Sequence, residues 1–283
     1  MNALKNCLVK FFCDGSPAPG YGRRRHPAIK TAISMRDRRL MPPAVLVSYV
    51  LLMLGTAGCT VSNGPTVGET HTISKSVPLG KQKSVAVDIK MGAGKLTVES
   101  GTSDLMNADF TYNVDAWKPE VRYDANGDQG HLTIQQPSGS HNYRGSTRYD
   151  WNVRLNDRVP MEMNVNMGAG KANLNLAGLN LSRFKVNMGA GEADIDLNGR
   201  WTHDLEASVQ GGVGKATLHL PRDVGVRVTV EGGLGTIHAS DFSRNGDVYT
   251  NSAYGKSRVN LNINVQGGMG EVDLVLGGGR GII

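Results

Sequence analysis

The sequence predicts an all-β protein built from stacked strand repeats, similar to a β-solenoid. Glycine accounts for 37 of the 283 residues, about twice its usual share of ~7%, and a short glycine motif recurs along the chain. The residues around each motif alternate between apolar and polar, which is typical of strands with one buried face. With only 11 prolines and no Gly-X-Y period, the glycines indicate neither a disordered tract nor collagen.

The glycine motif is a Gly-x-Gly segment that occurs six times. It is found at Met91–Gly94, Met167–Gly170, Met188–Gly191, Gly211–Gly214, Gly232–Gly235 and Gly267–Gly270. The first glycines of these motifs are 76, 21, 23, 21 and 35 residues apart. The three middle intervals set a repeat of about 22 residues, and the longer intervals indicate repeats that carry insertions.

Each motif marks a change in the alternation of side chains. Val165 and Met167 are apolar before the second motif, Ala172 and Leu174 are apolar after it, and the phase slips by one residue in between. Such a slip turns the later side chains to the wrong face unless the backbone bulges or turns a corner. Because glycine adopts positive φ without strain, we predict a strand, a glycine corner and a second strand in each repeat.

Stacking of these repeats would place equivalent residues in columns. One outward column would contain Asn166, Asn187, Gln210, Glu231 and Gln266, and its amides could form a hydrogen-bonded ladder. A β-sandwich of glycine-rich hairpins is the alternative architecture.

The N-terminal region has the features of an export leader. Residues 44–54 form an 11-residue apolar run, which is too short for a membrane-spanning helix but suits a signal peptide, and Arg36, Arg38 and Arg39 precede it. The run leads into Gly55-Thr56-Ala57-Gly58-Cys59, which resembles a bacterial lipobox, with Thr56 where an aliphatic residue is usual. We therefore predict a lipoprotein signal peptide at 35–58, lipidation of Cys59 and a linker over 59–78. The alternative is a plain secretory signal.

Residues 1–34 fit no part of a signal peptide, and we interpret them as a mis-annotated or untranslated extension. A cytoplasmic tail is the alternative. Residues 1–59 contain nine Lys and Arg but two Asp and Glu, so the rest of the chain carries a net charge of −1 although the whole carries +6. The basic excess thus belongs to the leader, and no nucleic-acid partner is expected.

Residues 69–283 resemble the toast-rack family of bacterial envelope domains, which has no known function and is related to LiaF-like stress proteins and adhesin domains. The resemblance rests on Ser76–Gly80, Val85–Ile89, Phe110–Asn113, Trp117–Val121 and Trp151–Asn156, together with the glycine repeats. It implies a stacked all-β domain over 79–283, an extracytoplasmic location and no known enzymatic activity. LiaF-like proteins usually contain membrane-spanning helices and restrain a sensor kinase, whereas we expect no such helices in this chain.

An insert at about 135–158 is the candidate binding surface. Aromatic and guanidinium groups occur together in it, as they often do at binding surfaces. The residues are Tyr143, Arg144, Arg148, Tyr149, Trp151 and Arg154. The alternative is a loop that caps the core, with its aromatic rings packed inward.

No catalytic motif is apparent, and we expect no cofactor and no metal. Gly168-Ala169-Gly170-Lys171 lacks the spacer and the following Ser or Thr of a phosphate-binding loop. Stacking would place Asp194 near His219, with His238 in the next repeat, but polar residues on a solvent-facing strand are the simpler interpretation. We therefore expect a lipid-anchored binding or scaffolding module of the cell envelope, in the outer membrane where there is one, whose partner is an envelope protein or a glycan. A regulatory role in envelope-stress signalling is the alternative function.

Overall fold

The computed structural model describes residues 66–139, 145–233 and 235–277, and these form one continuous sheet of fourteen strands. The strands are β1 (His71–Val77), β2 (Ser84–Ser100), β3 (Met106–Tyr112), β4 (Glu120–Asn126), β5 (Gln129–Gln135), β6 (Tyr149–Leu155), β7 (Met161–Asn175), β8 (Leu181–Asp196), β9 (Leu205–Leu220), β10 (Gly225–Gly232), β11 (Thr236–His238), β12 (Ser243–Asn245), β13 (Val248–Thr250) and β14 (Asn260–Leu276). A 3₁₀ turn covers Asp115–Trp117. Within the described residues, no helix has the length and hydrophobicity to span a membrane.

Five long strands, β2, β7, β8, β9 and β14, each continue through a Gly-x-Gly motif without interruption. Each of them bends at that motif. The second glycine of each of these motifs has φ between +122° and +153°, a range that residues with a side chain rarely adopt. In β7, Met161 to Met167 are buried at every second position and burial resumes at Ala172 and Leu174. The predicted glycine corner and the slip in alternation are therefore confirmed.

Each bent strand has a first limb before the corner and a second limb after it. Neighbouring bent strands pair in parallel along both limbs, in register for almost their whole length. Short segments such as 176–180 carry the chain from the end of one second limb to the start of the next first limb. The described part of the chain thus coils as a solenoid, and the predicted stack of repeats is confirmed over the hairpin sandwich.

The other strands extend the two limbs at their edges. The first limbs continue through β5 and β4 beyond β2, and through β10, β13 and β12 beyond β14. The second limbs continue through β6, β3 and β1 beyond β2, and through β11 beyond β14. Apolar side chains from both limbs meet in a single core between them.

The repeats do not stack in the order of the sequence. Strand β14 lies between β9 and β10, so the last motif is the neighbour of the fourth. The fifth motif also departs from the pattern, because β10 ends at Gly232 and the chain returns to the sheet only at β11. The prediction that His238 follows His219 in the stack is therefore wrong, since His238 pairs with Asp273 of β14.

Two predicted boundaries also change. The segment 71–77, assigned to the linker, is the edge strand β1, whose mostly exposed side chains give little alternation in the sequence. The segment 149–155, assigned to the insert, is β6 and pairs in parallel with the second limb of β2. Its inward residues Tyr149, Trp151, Val153 and Leu155 are all buried.

Candidate binding surface

The structure does not assemble the six residues predicted as a binding surface into one patch. Tyr143 and Arg144 lie outside the described residues, as does the predicted lipidation site Cys59. Arg148 is exposed just before β6, and its Nε donates to Asp150 Oδ2 at 2.9 Å. Arg154 points outward from β6, with Nη2 3.4 Å from Asp109 Oδ2.

Tyr149 and Trp151 belong to the core, which corrects their assignment to a surface. The ring of Tyr149 lies 5.3 Å from that of Trp151 and 5.5 Å from that of Trp117, and Phe110 meets Trp151 edge to face. The Tyr149 hydroxyl donates to the Trp117 carbonyl oxygen at 2.7 Å. Burial raises the pKa of the Tyr149 phenol. Only Arg148 and Arg154 of the described candidates therefore remain accessible, and their role in binding stays a prediction.

A charged cluster forms where β14 lies between β9 and β11. Ligand atoms of His238, Glu271 and Asp273 lie within 4.8 Å of one another, an arrangement that could hold a metal ion. However, Lys215 Nζ lies 2.6 Å from Asp273 Oδ2 and 3.1 Å from Glu271 Oε1. These hydrogen bonds raise the pKa of Lys215, and the bond to Asp273 has a larger effect than the bond to Glu271. Because a metal ion would have to displace this ammonium group, we assign the cluster as an ion-pair network.

The outer face of the first limbs carries a row of amides close to the corner. In stacking order the row is Lys90, Asn166, Asn187, Gln210, Gln266 and Glu231. We call these six residues the amide row. The row contains all five residues that the sequence predicts for the outward column, with β14 placing Gln266 before Glu231.

Hydrogen bonds connect neighbours in the amide row in two groups. Asn187 Nδ2 donates to Asn166 Oδ1 at 2.8 Å. Gln210 Nε2 donates to Gln266 Oε1, and Gln266 Nε2 donates to Glu231 Oε2, both at 3.2 Å. Asn187 Oδ1 has no hydrogen-bond partner among the described residues. This break coincides with the change from Asn to the longer Gln, so the predicted ladder forms in two parts.

A row of exposed glycines borders the amide row on its corner side. A Cβ at Gly189 would come 2.5 Å from the Gly168 carbonyl oxygen, so a side chain there would overlap the adjacent strand. The backbone of this glycine row is therefore not covered by side chains of its own residues. The two rows line a shallow groove from β2 to β9, with Gln136, Pro137 and Ser138 at the β2 end, and an adjoining depression that shares Gln210 and extends to Glu231. Gln136 Oε1 is held there by the Gly92 N–H at 2.8 Å.

Inside the corner, the packing changes from one end of the stack to the other. Met91, Met167 and Met188 share an inward column, and the methyl ends of Met91 and Met167 lie against the second glycines of their own motifs. In β9 and β14 this column continues as Gly211 and Gly267. A hollow of about 50 Å³ lies there, lined mainly by apolar side chains.

Comparison with known proteins matches residues 63–219 to the family described as the N-terminal domain of toast_rack, DUF2154. The chain belongs to the toast-rack family. The crystal structure of a "putative cell adhesion protein" from Clostridium sporogenes is 31% identical to it, with a TM-score of 0.72. That match covers 74% of this toast-rack chain and the whole of the other.

Weaker likenesses to this toast-rack protein have much lower identity. A "putative adhesin" from Bacteroides fragilis is 10% identical over 73% of this chain and 97% of its own, with a TM-score of 0.21. Another from Parabacteroides distasonis is 13% identical over 74% of this chain and 99% of its own, with a TM-score of 0.22. A search of curated proteins found no match.

Proposed function

We propose that this toast-rack protein is a non-catalytic binding module of the bacterial cell envelope, with an adhesin-like or scaffolding role. The observation that carries the proposal is its similarity to the Clostridium protein named for cell adhesion, which extends over the full length of that chain. The fold is suited to such a role because the outward side chains of the bent strands are mostly polar.

The proposal includes anchoring through a lipid on Cys59 and a location outside the cytoplasm. The lipobox-like segment ending at Cys59 supports this part. A lipid on the first residue of the mature chain would leave the sheet, which begins at His71, about eleven residues from the membrane attachment. Such a tether would let the domain face outward and reach an envelope protein or a glycan.

Lipidation and binding are tested separately, and lipidation is tested in living cells. Labelling with radioactive palmitate should mark the full-length protein and not the Cys59→Ser variant. Equal labelling of both would contradict lipidation at this residue.

Binding is measured separately, with the unlipidated mature chain added to purified cell envelopes. We expect it to sediment with the envelopes, in a manner saturated by unlabelled protein. Failure to sediment would contradict an adhesin-like role. Recovery of a sensor kinase as the main product after crosslinking in intact cells would instead favour a regulatory role.

A further inference from the structure

We infer that the amide row and the glycines beside it bind a neutral polysaccharide chain laid across the strands; this inference rests on the proposed binding function. The row is outside the predicted surface around Arg148 and Arg154. It is the place where the fold repeats a side-chain amide on four neighbouring strands, with Lys90 and Glu231 on the strands at either end.

The hydrogen bonds within the row leave capacity for a ligand. Each Asn or Gln amide offers two donor hydrogens and an oxygen with two lone pairs. The link from Asn187 to Asn166 uses one donor hydrogen and one lone pair, as does each link in the Gln210, Gln266 and Glu231 group. Asn187 Oδ1 is buried, so the groups that can reach a ligand are the remaining donor hydrogens and the oxygens of the other amides, whose side chains are half-buried on the outer face. Sugar hydroxyl and acetamido groups also both donate and accept, so they complement such a row.

The shape of the groove favours an extended polymer. Strands in a sheet are about 4.8 Å apart, so a row across six strands is roughly 24 Å long. The bare glycine backbone beside the row lets a flat ring approach without meeting side chains, and Gln136 closes the groove at the β2 end. A repeating ligand that lies along the row would therefore meet an equivalent amide every few ångströms.

The charge of the groove favours a neutral ligand over an anionic one. The middle four members of the row are uncharged amides, and Lys90 and Glu231 stand at opposite ends. An anionic polymer would gain one cation and meet one carboxylate. Among the described residues that line the groove, Lys90 is the only cation and Glu231 the only carboxylate.

The test uses the unlipidated mature chain and N-acetylglucosamine oligomers of increasing length, with calorimetry and side-chain amide NMR. We expect affinity to rise with oligomer length until the row is covered. Signals of the Asn and Gln side chains in the row should shift on binding. The double variant Asn187→Leu and Gln210→Leu should weaken binding by about tenfold or more, since each loses hydrogen bonds to the ligand.

Asn173→Leu is the matched control, because Asn173 faces outward on β7 beyond the corner, in the second limb. It should bind as wild type does, and thermal unfolding should show that all variants are folded. Unchanged binding in the double variant, no binding of any oligomer, or a preference for an anionic polymer would overturn the inference. The proposed function fails separately, when wild type does not bind purified envelopes at all.

Discussion

At the scale of single residues, Tyr149 shows how a residue type that is common at interfaces comes to serve the core. Its ring packs between Trp117 and Trp151, and its hydroxyl satisfies the Trp117 carbonyl at 2.7 Å. The sequence places Tyr149, Trp151 and two arginines close together, which is equally typical of a binding surface. The strand alternation of Tyr149, Trp151, Val153 and Leu155 is the signal that identifies the aromatic residues as inward, because the arginine at 154 falls on the opposite face.

The buried phenol of Tyr149 predicts a loss of stability in alkali. Burial raises its pKa above the usual 10.0 in the folded state, so above about pH 10 the unfolded state releases this proton while the folded state keeps it. The unfolded state then binds fewer protons, and stability falls as pH rises. Tyr149→Phe should lower the free energy of unfolding by about 1–2 kcal/mol at neutral pH. We expect that deficit to shrink above about pH 10, measured by urea unfolding at a series of pH values.

Tyr254→Phe is the control, because Tyr254 lies at the surface. The difference in the free energy of unfolding between this variant and wild type should stay constant across the pH series. A deficit for Tyr149→Phe that stays constant into alkali would contradict the assignment.

At the scale of the elements, the bent strand is the unit that the sequence encodes most clearly. The period, the slip in alternation and the outward amide column all follow from residues within one repeat. The order of stacking does not, because β8, β9, β10 and β14 all place valine inward and an Asn, Gln or Glu outward just before the corner. Lys215 is one residue from which the stacking order could be inferred. Strand β14 has the acidic partners Glu271 and Asp273 beside it, whereas β11 has Thr236 at the equivalent position.

The two kinds of glycine in the β9 motif predict opposite effects of substitution. Gly214 has φ +145° and a Cβ there would overlap the Gly191 carbonyl oxygen, whereas a Cβ at Gly211 would meet nothing within 4 Å. Gly214→Ala should therefore cost at least about 3 kcal/mol and lower the Tm by roughly 6 °C or more. Gly211→Met should raise stability by about 0.5–2 kcal/mol, because it restores the methionine column and fills the hollow.

Calorimetric unfolding of the two variants measures both effects. Gly211→Ala separates the contributions, since it reduces the freedom of the unfolded chain without filling the hollow. Equal Tm values for Gly214→Ala and Gly211→Ala would contradict the role of the corner.

At the scale of the whole molecule, the placement of β14 makes the last strand a structural link rather than an end cap. Parallel pairing between strands far apart in sequence forms slowly, since long loops must close first. Here β14 pairs with β9 along both limbs and carries β10 and β11 on its other side. The part of the stack beyond β9 therefore depends on β14, which is synthesised after β10 and β11.

A chain that ends at residue 258 should lose the structure of 225–250 while keeping that of β2, β7 and β8. Strand β10 could in principle move beside β9, but the buried Asn251 opposes this. Its side chain donates to the carbonyl oxygens of Pro221 and Val224 and accepts from the Val226 N–H, which holds the connection to β10 in its native path. Hydrogen exchange should show unprotected amides in 225–250 of the truncated chain, and a chain that ends at residue 277 should match wild type. Native-like protection of β10 in the shorter chain would mean that it can pair with β9, and that the repeats are interchangeable in the stack.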